Sequence, residues 1–514
     1  MKTKKEQLSL FNLIWIGFSF IAGITYTASF STILASETGV GNHIYWIFLI
    51  EGFVAYMCAW TFARLVQIHP EANGGGAQYV RTAFGKFWGL LMGMINYAVI
   101  PAIAVNLLVT MVRANFDNLA GFDSQTNTWG LWGSFGSLYL DLIAFGLCGL
   151  ATSILFLGMR RYRIASTCIA YITWIITLLL VIFGIVGGAL NLNAGNNGLK
   201  TYASKINVSN FSSTFTSIFF AFCGLEIAIT SGKNIKNRQR NVPISIMVIM
   251  FASTLFYMLF TLIVMLAVSP EPFGGNPNLQ IFKSLNNDFI NTAGRIIVII
   301  CTLLMRFNSS LQVSLFGGST LEPLAKQKFI SKIFAKENKE SIPVAGVLAN
   351  CVVFIIACIM FIFIPDIVQG ITQKQTPFDY ATLASVASIL LISIYMMIIP
   401  VAIYQGIKKN MKVRIWEYIG WSITIAFLIF VLGTYFYNLI LDYTKLYDSG
   451  SLDIQKLFKC TFQLIYFVSV VLISVILYHV YHKKQIKKVQ NNPELLAELK
   501  ENEKVYTIIK NETK

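Results

Sequence analysis

Residues 219–246, FFAFCGLEIAITSGKNIKNRQRNVPISI, place an ionisable side chain inside an apolar run. Cys223-Gly224 interrupts the run with small residues, and Glu226 follows. A charge at bilayer depth costs about 2.5–3.5 kcal/mol or more, so such a residue marks a functional site by default. Two readings fit Glu226: it carries a proton, or its carboxyl oxygens accept hydrogen bonds that brace an interrupted helix.

A second interruption lies near the N-terminus, in Trp15 to Thr25, WIGFSFIAGIT, where Gly17, Ser19, Ala22 and Gly23 precede Ile24. Glycine lets the backbone leave the helix, and unwound backbone is tolerated at membrane depth only where it lines protein or a cavity. The freed N–H groups of such a break attract a carboxylate, and its freed carbonyls attract an ammonium or a cation. Paired breaks therefore suit a zwitterionic amino acid. Small residues in spans also let helices pack closely, and that reading competes for the first break taken alone.

Other side chains have chemistry with less context. Asn96, with Tyr97 and Pro101, reads either as a pore-facing amide or as part of a helix kink. Glu51 reads as a structural carboxyl, paired with a polar group of another span. Arg306 needs a partner or a wet cavity, and Glu51 or an acidic substrate would serve. Asp141 and Glu417 sit near predicted span ends and are expected to reach the interface. Ser309 and Ser310 offer hydroxyls for a sodium ion, against the competing reading that they bond back to their own helix.

The elements that must position these groups are membrane helices. Of 514 residues, 55% are hydrophobic and 12% charged, and the mean hydropathy is +0.64. Soluble chains carry about 25% charged residues. Twelve segments are long and apolar enough to span: 10–34, 44–66, 86–111, 136–157, 164–188, 212–231, 243–268, 290–321, 342–364, 380–404, 415–441 and 460–482. The expected fold is thus an all-α polytopic membrane protein of twelve transmembrane helices. Its transporter domain covers 1–482, with a tail over 483–514. The positions of the breaks divide it into a first repeat, 10–188, an inverted second repeat, 212–404, and two added helices, 415–482.

The net charge of +16 reports topology rather than nucleic acid, for which no motif is present. With the N-terminus inside, 30 of the 40 Lys and Arg fall on the cytoplasmic side. Both termini are then cytoplasmic, in a multi-pass protein of the cell membrane. The tail is expected to be solvated, against the competing reading of a short amphipathic helix after Pro493, and its basic start, Lys483 to Lys488, also suits anionic lipid. The eight cysteines form no CxxC pair and read as small buried hydrophobes. No P-loop, HExxH motif or nucleophile elbow is present, so neither ATP drive nor an intramembrane enzyme is supported.

Three stretches carry a resemblance. FFAFCGLE (219–226) leads into KNIKNRQRNVP (233–243); AWTFARLVQIHPEANGGGAQY spans 59–79; GMRR spans 158–161. In order and spacing they resemble the amino acid–polyamine–organocation transporter family over roughly residues 10–400. FGGSTLEPLAK (316–326) and NKESIP (338–343) look most like its glutamate/GABA antiporter branch.

The resemblance implies a LeuT-like five-plus-five fold with two extra helices. It also implies an amino acid carboxylate on Ile21, Ala22 and Gly23, beside Ile24. The amine would meet carbonyls near Ser19 and Cys223, next to Phe222 and Gly224. Phe220 would close over the substrate, and Glu226 would couple transport to an ion. Related folds hold sodium where the eighth span faces the first, which maps to Ser309 and Ser310.

The chain also departs from the family. Ile21-Ala22-Gly23 replaces a Gly-Ser-Gly-like run, the fifth span has no lysine near Thr173, and Ser319 stands near the place of an arginine. The expectation is an amino acid permease working by alternating access, by symport or exchange, with H+ or Na+ as the coupling ion and no other cofactor. The alternative is a membrane amino acid sensor on the same scaffold.

Overall fold

In the computed structural model the described residues are 9–23, 26–27, 30–34, 39–69, 76–116, 119, 122–123, 128–196, 199, 206–222, 236–268, 277–338, 342–373, 380–446, 454–504 and 508. They are helical throughout, apart from short connections and one two-residue antiparallel pairing, Phe122–Asp123 (β1) with Thr128–Trp129 (β2). The helices in chain order are α1 (Leu10–Ile21), α2 (Phe30–Ile33), α3 (Ile44–Ile68), α4 (Ala77–Phe84), α5 (Lys86–Ala98), α6 (Ile100–Met111), α7 (Gly136–Phe156), α8 (Met159–Asn193) and α9 (Val208–Phe219). They continue with α10 (Arg238–Ala267), α11 (Asp288–Lys326), α12 (Val344–Cys358), α13 (Ile364–Thr372), α14 (Tyr380–Ile407), α15 (Ile415–Thr444), α16 (Ile454–Ile476), α17 (Lys483–Gln490) and α18 (Pro493–Glu503).

Among the described residues, ten helical stretches are long and apolar enough to cross a membrane. They correspond to ten of the twelve predicted segments. The other two are the segments expected to be interrupted. Leu10–Ile21 is a short apolar helix, and α9 gives way to a 3-10 turn over Phe220–Phe222. The segment containing Arg295 and Arg306 is one continuous helix of 39 residues.

Many side chains on the spans' outer faces are large, apolar and exposed, among them Ile175, Leu178, Phe251 and Ile440. In water that would be untenable; in lipid the hydrocarbon covers them and the helices satisfy their own backbone. The seven described cysteines are free thiols, buried except for half-buried Cys351 and exposed Cys168. The reading of cysteines as buried hydrophobes thus fails at Cys168.

Two expectations about charges are corrected. Asp141 and Glu417, expected to reach the interface, are instead buried inside the protein and paired. Arg113 places one guanidinium nitrogen 3.1 Å from both Asp141 and Asp366, and Asp141 is fully buried. Glu417 accepts from Arg64 at 3.0 Å, Trp60 Nε1 at 2.7 Å and the Arg414 N–H at 2.6 Å. Partners from other helices remove the need for water.

The described part of the tail is largely exposed but helical, with a helix from Pro493 as the competing reading has it, and one side of it is docked. Helices α17 and α18 fold back on the bundle and bury Val489 and Leu499. Glu503 pairs with Arg81 at 2.9 Å and Lys86 at 3.0 Å, and Glu498 pairs with Lys328 at 3.2 Å. His482 lies against Phe329 with ring centroids 4.3 Å apart.

Candidate functional site

The first break is set by local sequence. Ser9 caps α1, accepting from the Asn12 N–H at 3.3 Å. The helix stops at Ile21 because Ala22 is extended (φ −83°, ψ 126°), with Gly23 next in the chain. Ser19, Ile21, Ala22 and Gly23 are all buried. A helix end leaves carbonyls without intrahelical donors, and buried ones need partners from elsewhere.

Tyr257, in the middle of α10, meets both interrupted segments. Its hydroxyl lies 2.5 Å from the Ile21 carbonyl oxygen and 2.8 Å from the Ala221 carbonyl oxygen in the turn after α9. One hydroxyl proton serves two acceptors, so it is shared between them or donated to one at a time. Phe222 packs edge-on against the Tyr257 ring at 5.2 Å, and Phe48 of α3 lies 5.7 Å from it. Beyond the break, the Tyr26 hydroxyl donates to the Tyr257 carbonyl at 3.1 Å and meets Thr261 Oγ1 at 3.0 Å. Asn278 donates to Thr27 Oγ1 at 2.8 Å.

Ser19 faces another neighbour. Trp174 of α8 donates from Nε1 to Ser19 Oγ at 3.3 Å, and its indole stacks on Phe18 at 4.5 Å. The Ser19 hydroxyl is therefore already engaged.

Tyr257 and Tyr26 were not singled out by the sequence reading. A signal existed: a tyrosine buried mid-span must find an acceptor for its hydroxyl. That the acceptors would be the freed carbonyls was not readable from spacing.

The predicted residues divide as follows. Ile21 and Phe222 meet at Tyr257, and Ala22 and Gly23 follow Ile21 directly. Phe220 belongs to the same turn. Ile24, Cys223, Gly224 and Glu226 lie outside the described residues.

Asn96 is buried near the kink where α5 meets α6, and neither of its amide atoms has a hydrogen-bond partner among the described residues. The kink has its own cause: Pro101 lacks an N–H, and the nearby Ala98 carbonyl accepts from Tyr466 at 2.7 Å. Ser309 donates back to the Met305 carbonyl at 3.0 Å. Ser310 borders a cavity of about 220 Å³ between α6, α7, α11 and α12, with Leu107, Cys148, Thr152 and Asn350. Glu51 is fully buried in α3, and both its carboxyl oxygens lack a hydrogen-bond partner among the described residues. Among the described residues the expected pairing with a polar group of another span, Arg306 included, is not made: α3 packs on α10 while α11 packs on α6, α7, α8 and α12.

Comparison with known proteins adds a family context. The family described as amino acid permease matches residues 8–449. An L-asparagine permease of Salmonella typhimurium is 22% identical over 406 residues, 75% of each chain. An uncharacterised protein of Mycoplasma genitalium is 24% identical over 456 residues, 84% of this chain and 86% of its own. The vacuolar cationic amino acid transporter 4 of Arabidopsis thaliana is 24% identical over 315 residues, 58% of this chain and 50% of its own.

Proposed function

Because the chain belongs to the amino acid permease family, we propose that it carries amino acids or related amines across the cell membrane by alternating access, as ion-coupled symport or exchange. The observation that carries this reading is the single Tyr257 hydroxyl between the Ile21 and Ala221 carbonyls. Two interrupted helices whose freed backbone meets at one point offer the paired donors and acceptors that a zwitterion needs.

On this reading the substrate carboxylate lies along Ile21, Ala22, Gly23 and Ile24. The ammonium meets carbonyls near Ser19 and Cys223, and Phe220, Phe222 and Gly224 shape the other wall. Asn96, a buried amide without a hydrogen-bond partner among the described residues, is a further candidate for substrate contact. Glu226 couples transport to the ion, and Ser309 and Ser310 are the candidates if that ion is sodium. The ten long helices and the two interrupted ones make twelve spans, ordered as five, five inverted and two. Both termini then face the cytoplasm, where 30 of the 40 Lys and Arg fall.

The relatives named for asparagine and for cationic amino acids support an amino acid as substrate. Relocation of the two half-helices against their neighbours exposes the site to either side in turn. The test is uptake of labelled amino acids into proteoliposomes holding the full chain, with and without proton or sodium gradients. Saturable accumulation or counterflow is the expected result. Saturable binding with neither would assign the chain to sensing instead.

A further inference from the structure

We propose that Glu51 is a proton-binding residue of the transport cycle; the inference rests on the transport reading above. Its basis is the place where α3 crosses α10. The two helices run antiparallel, as successive contacts show: Tyr45 meets Met265, Phe48 meets Tyr257, and Gly52 abuts the Thr254 side chain. A Cβ at Gly52 would overlap Thr254, so the backbones approach closely there.

On antiparallel helices, the residues just before two facing residues turn to the same flank of the contact. Those residues are Glu51 and Ser253. Ser253 lies one turn from Ile249, which packs on Gly17, and one turn from Tyr257, which bonds the Ile21 carbonyl. The flank shared by Glu51 and Ser253 is therefore the α1 side, at the depth of the first break.

Both residues are fully buried, and among the described residues Glu51 Oε1, Glu51 Oε2 and Ser253 Oγ have no hydrogen-bond partner. The other buried acidic side chains in the spans differ. Asp141 and Asp366 share Arg113, Glu322 pairs with Lys326, and Glu417 pairs with Arg64. Among the described residues, Glu51 stands apart in having no cation paired with it.

The elements packed on α3 are α10, α14, α9, α15 and the 3-10 turn Gly41–His43, and among their described residues none places a cation against Glu51. The described residues of α9, and of α1 on the shared flank, carry no ionisable side chain, and His43 of the turn lies eight residues before Glu51 in the chain. From α10 the nearest titratable group is Tyr257, and from α14 it is Tyr395, which meets Phe62 further along α3. Glu417 of α15 is already paired. On α3 itself, Tyr45, Tyr56 and Cys58 are the neighbouring titratable groups.

A bare carboxylate in such surroundings is strongly disfavoured, and a bound proton removes that cost. A proton needs no coordination shell, which the close backbone approach at Gly52 leaves little room for. Release requires water or a cation to reach Glu51, and the movable end of α1 lies on its flank. Proton uptake and release are thereby tied to the position of the half-helix that binds substrate.

The experiment uses the full chain in proteoliposomes. Wild type is expected to accumulate amino acid under an imposed pH gradient, with an exchange rate that follows pH. E51Q is expected to lose gradient-driven accumulation at least tenfold, to exchange at a rate that no longer follows pH, and E51D to restore accumulation in part. Accumulation by E51Q equal to wild type overturns the proposal, as does a sodium-driven accumulation that E51Q abolishes.

A second readout does not depend on transport. The infrared difference between wild type and E51Q at neutral pH is expected to contain the C=O stretch of a protonated carboxyl. Its absence overturns the proposal. Its presence in a protein that shows no counterflow supports proton binding at Glu51 and removes only the transport reading.

Discussion

The hydroxyl of Tyr257 lies 2.5 Å from the carbonyl oxygen of Ile21, 236 positions earlier in the chain, at the residue where the first helix stops. The same hydroxyl lies 2.8 Å from the Ala221 carbonyl. Two helix ends with unmet backbone groups are thus held by one side chain from a third helix.

Tyr257→Phe keeps the ring contacts and removes the hydroxyl that serves both carbonyls. Leaving a buried acceptor unsatisfied costs about 1–3 kcal/mol. The expected result is normal insertion, a lower melting temperature in detergent and at least tenfold slower uptake. Uptake at the wild-type rate would show that the two breaks do not depend on this link.

At the crossing of α3 and α10, Gly52 leaves no room for a side chain against Thr254. Gly52→Val forces the helices apart, and overpacking of this kind typically costs about 1–3 kcal/mol. Yield and thermal stability should fall, and Thr254→Ala should recover part of the loss in the double variant. A stable Gly52→Val protein with no benefit from Thr254→Ala would contradict the close approach.

The tail is held by carboxylates. Burial alone would raise the Glu503 carboxyl, but its hydrogen bond to Lys86 and the charges of Lys86 and Arg81 outweigh burial and hold it below its ordinary value. A carboxyl whose pKa is depressed by docking contributes above its undocked pKa, about 4.3, and that contribution is lost as pH falls through the docked value. Protease cleavage before Pro493 should therefore rise in acid and at high salt. Glu503→Lys should show the same susceptibility at neutral pH and low salt. Resistance of Glu503→Lys equal to wild type would mean that Leu499 and its neighbours hold the tail unaided.

His69, just past the end of α3, meets Thr82 Oγ1 through Nε2 at 3.0 Å and stacks on Tyr79 with centroids 5.6 Å apart. Burial pushes its imidazole down to about 4. The folded protein then binds fewer protons here than the unfolded chain does. The contribution is complete above about pH 6.5 and declines toward pH 4, by about 1.4 kcal/mol per pH unit. Thermal unfolding of wild type across that window should show the decline, and His69→Gln should flatten it. Parallel profiles for the two proteins would remove His69 as the cause.

Much of the architecture was written locally in the chain. A bilayer obliges each crossing segment to satisfy its own backbone, so length and hydropathy suffice to find it. Ten predicted segments are long helices, and the break at Ala22 was legible from the small residues around it. Other features depend on residues far apart in sequence, and no local pattern encodes them. Asp141 and Glu417 looked like interfacial charges until Arg113 and Arg64 arrived from other helices. The tail looked solvated because Arg81, Lys86 and Lys328, its partners, lie more than 150 residues upstream. Glu51 looked like one half of a pair, and only packing reveals that no cation among the described residues pairs with it. The sequence by itself determined which segments cross the bilayer and where the first gives way. The tertiary structure alone decided which buried polar groups are satisfied, because hydrogen bonds and ion pairs between helices depend on which faces meet.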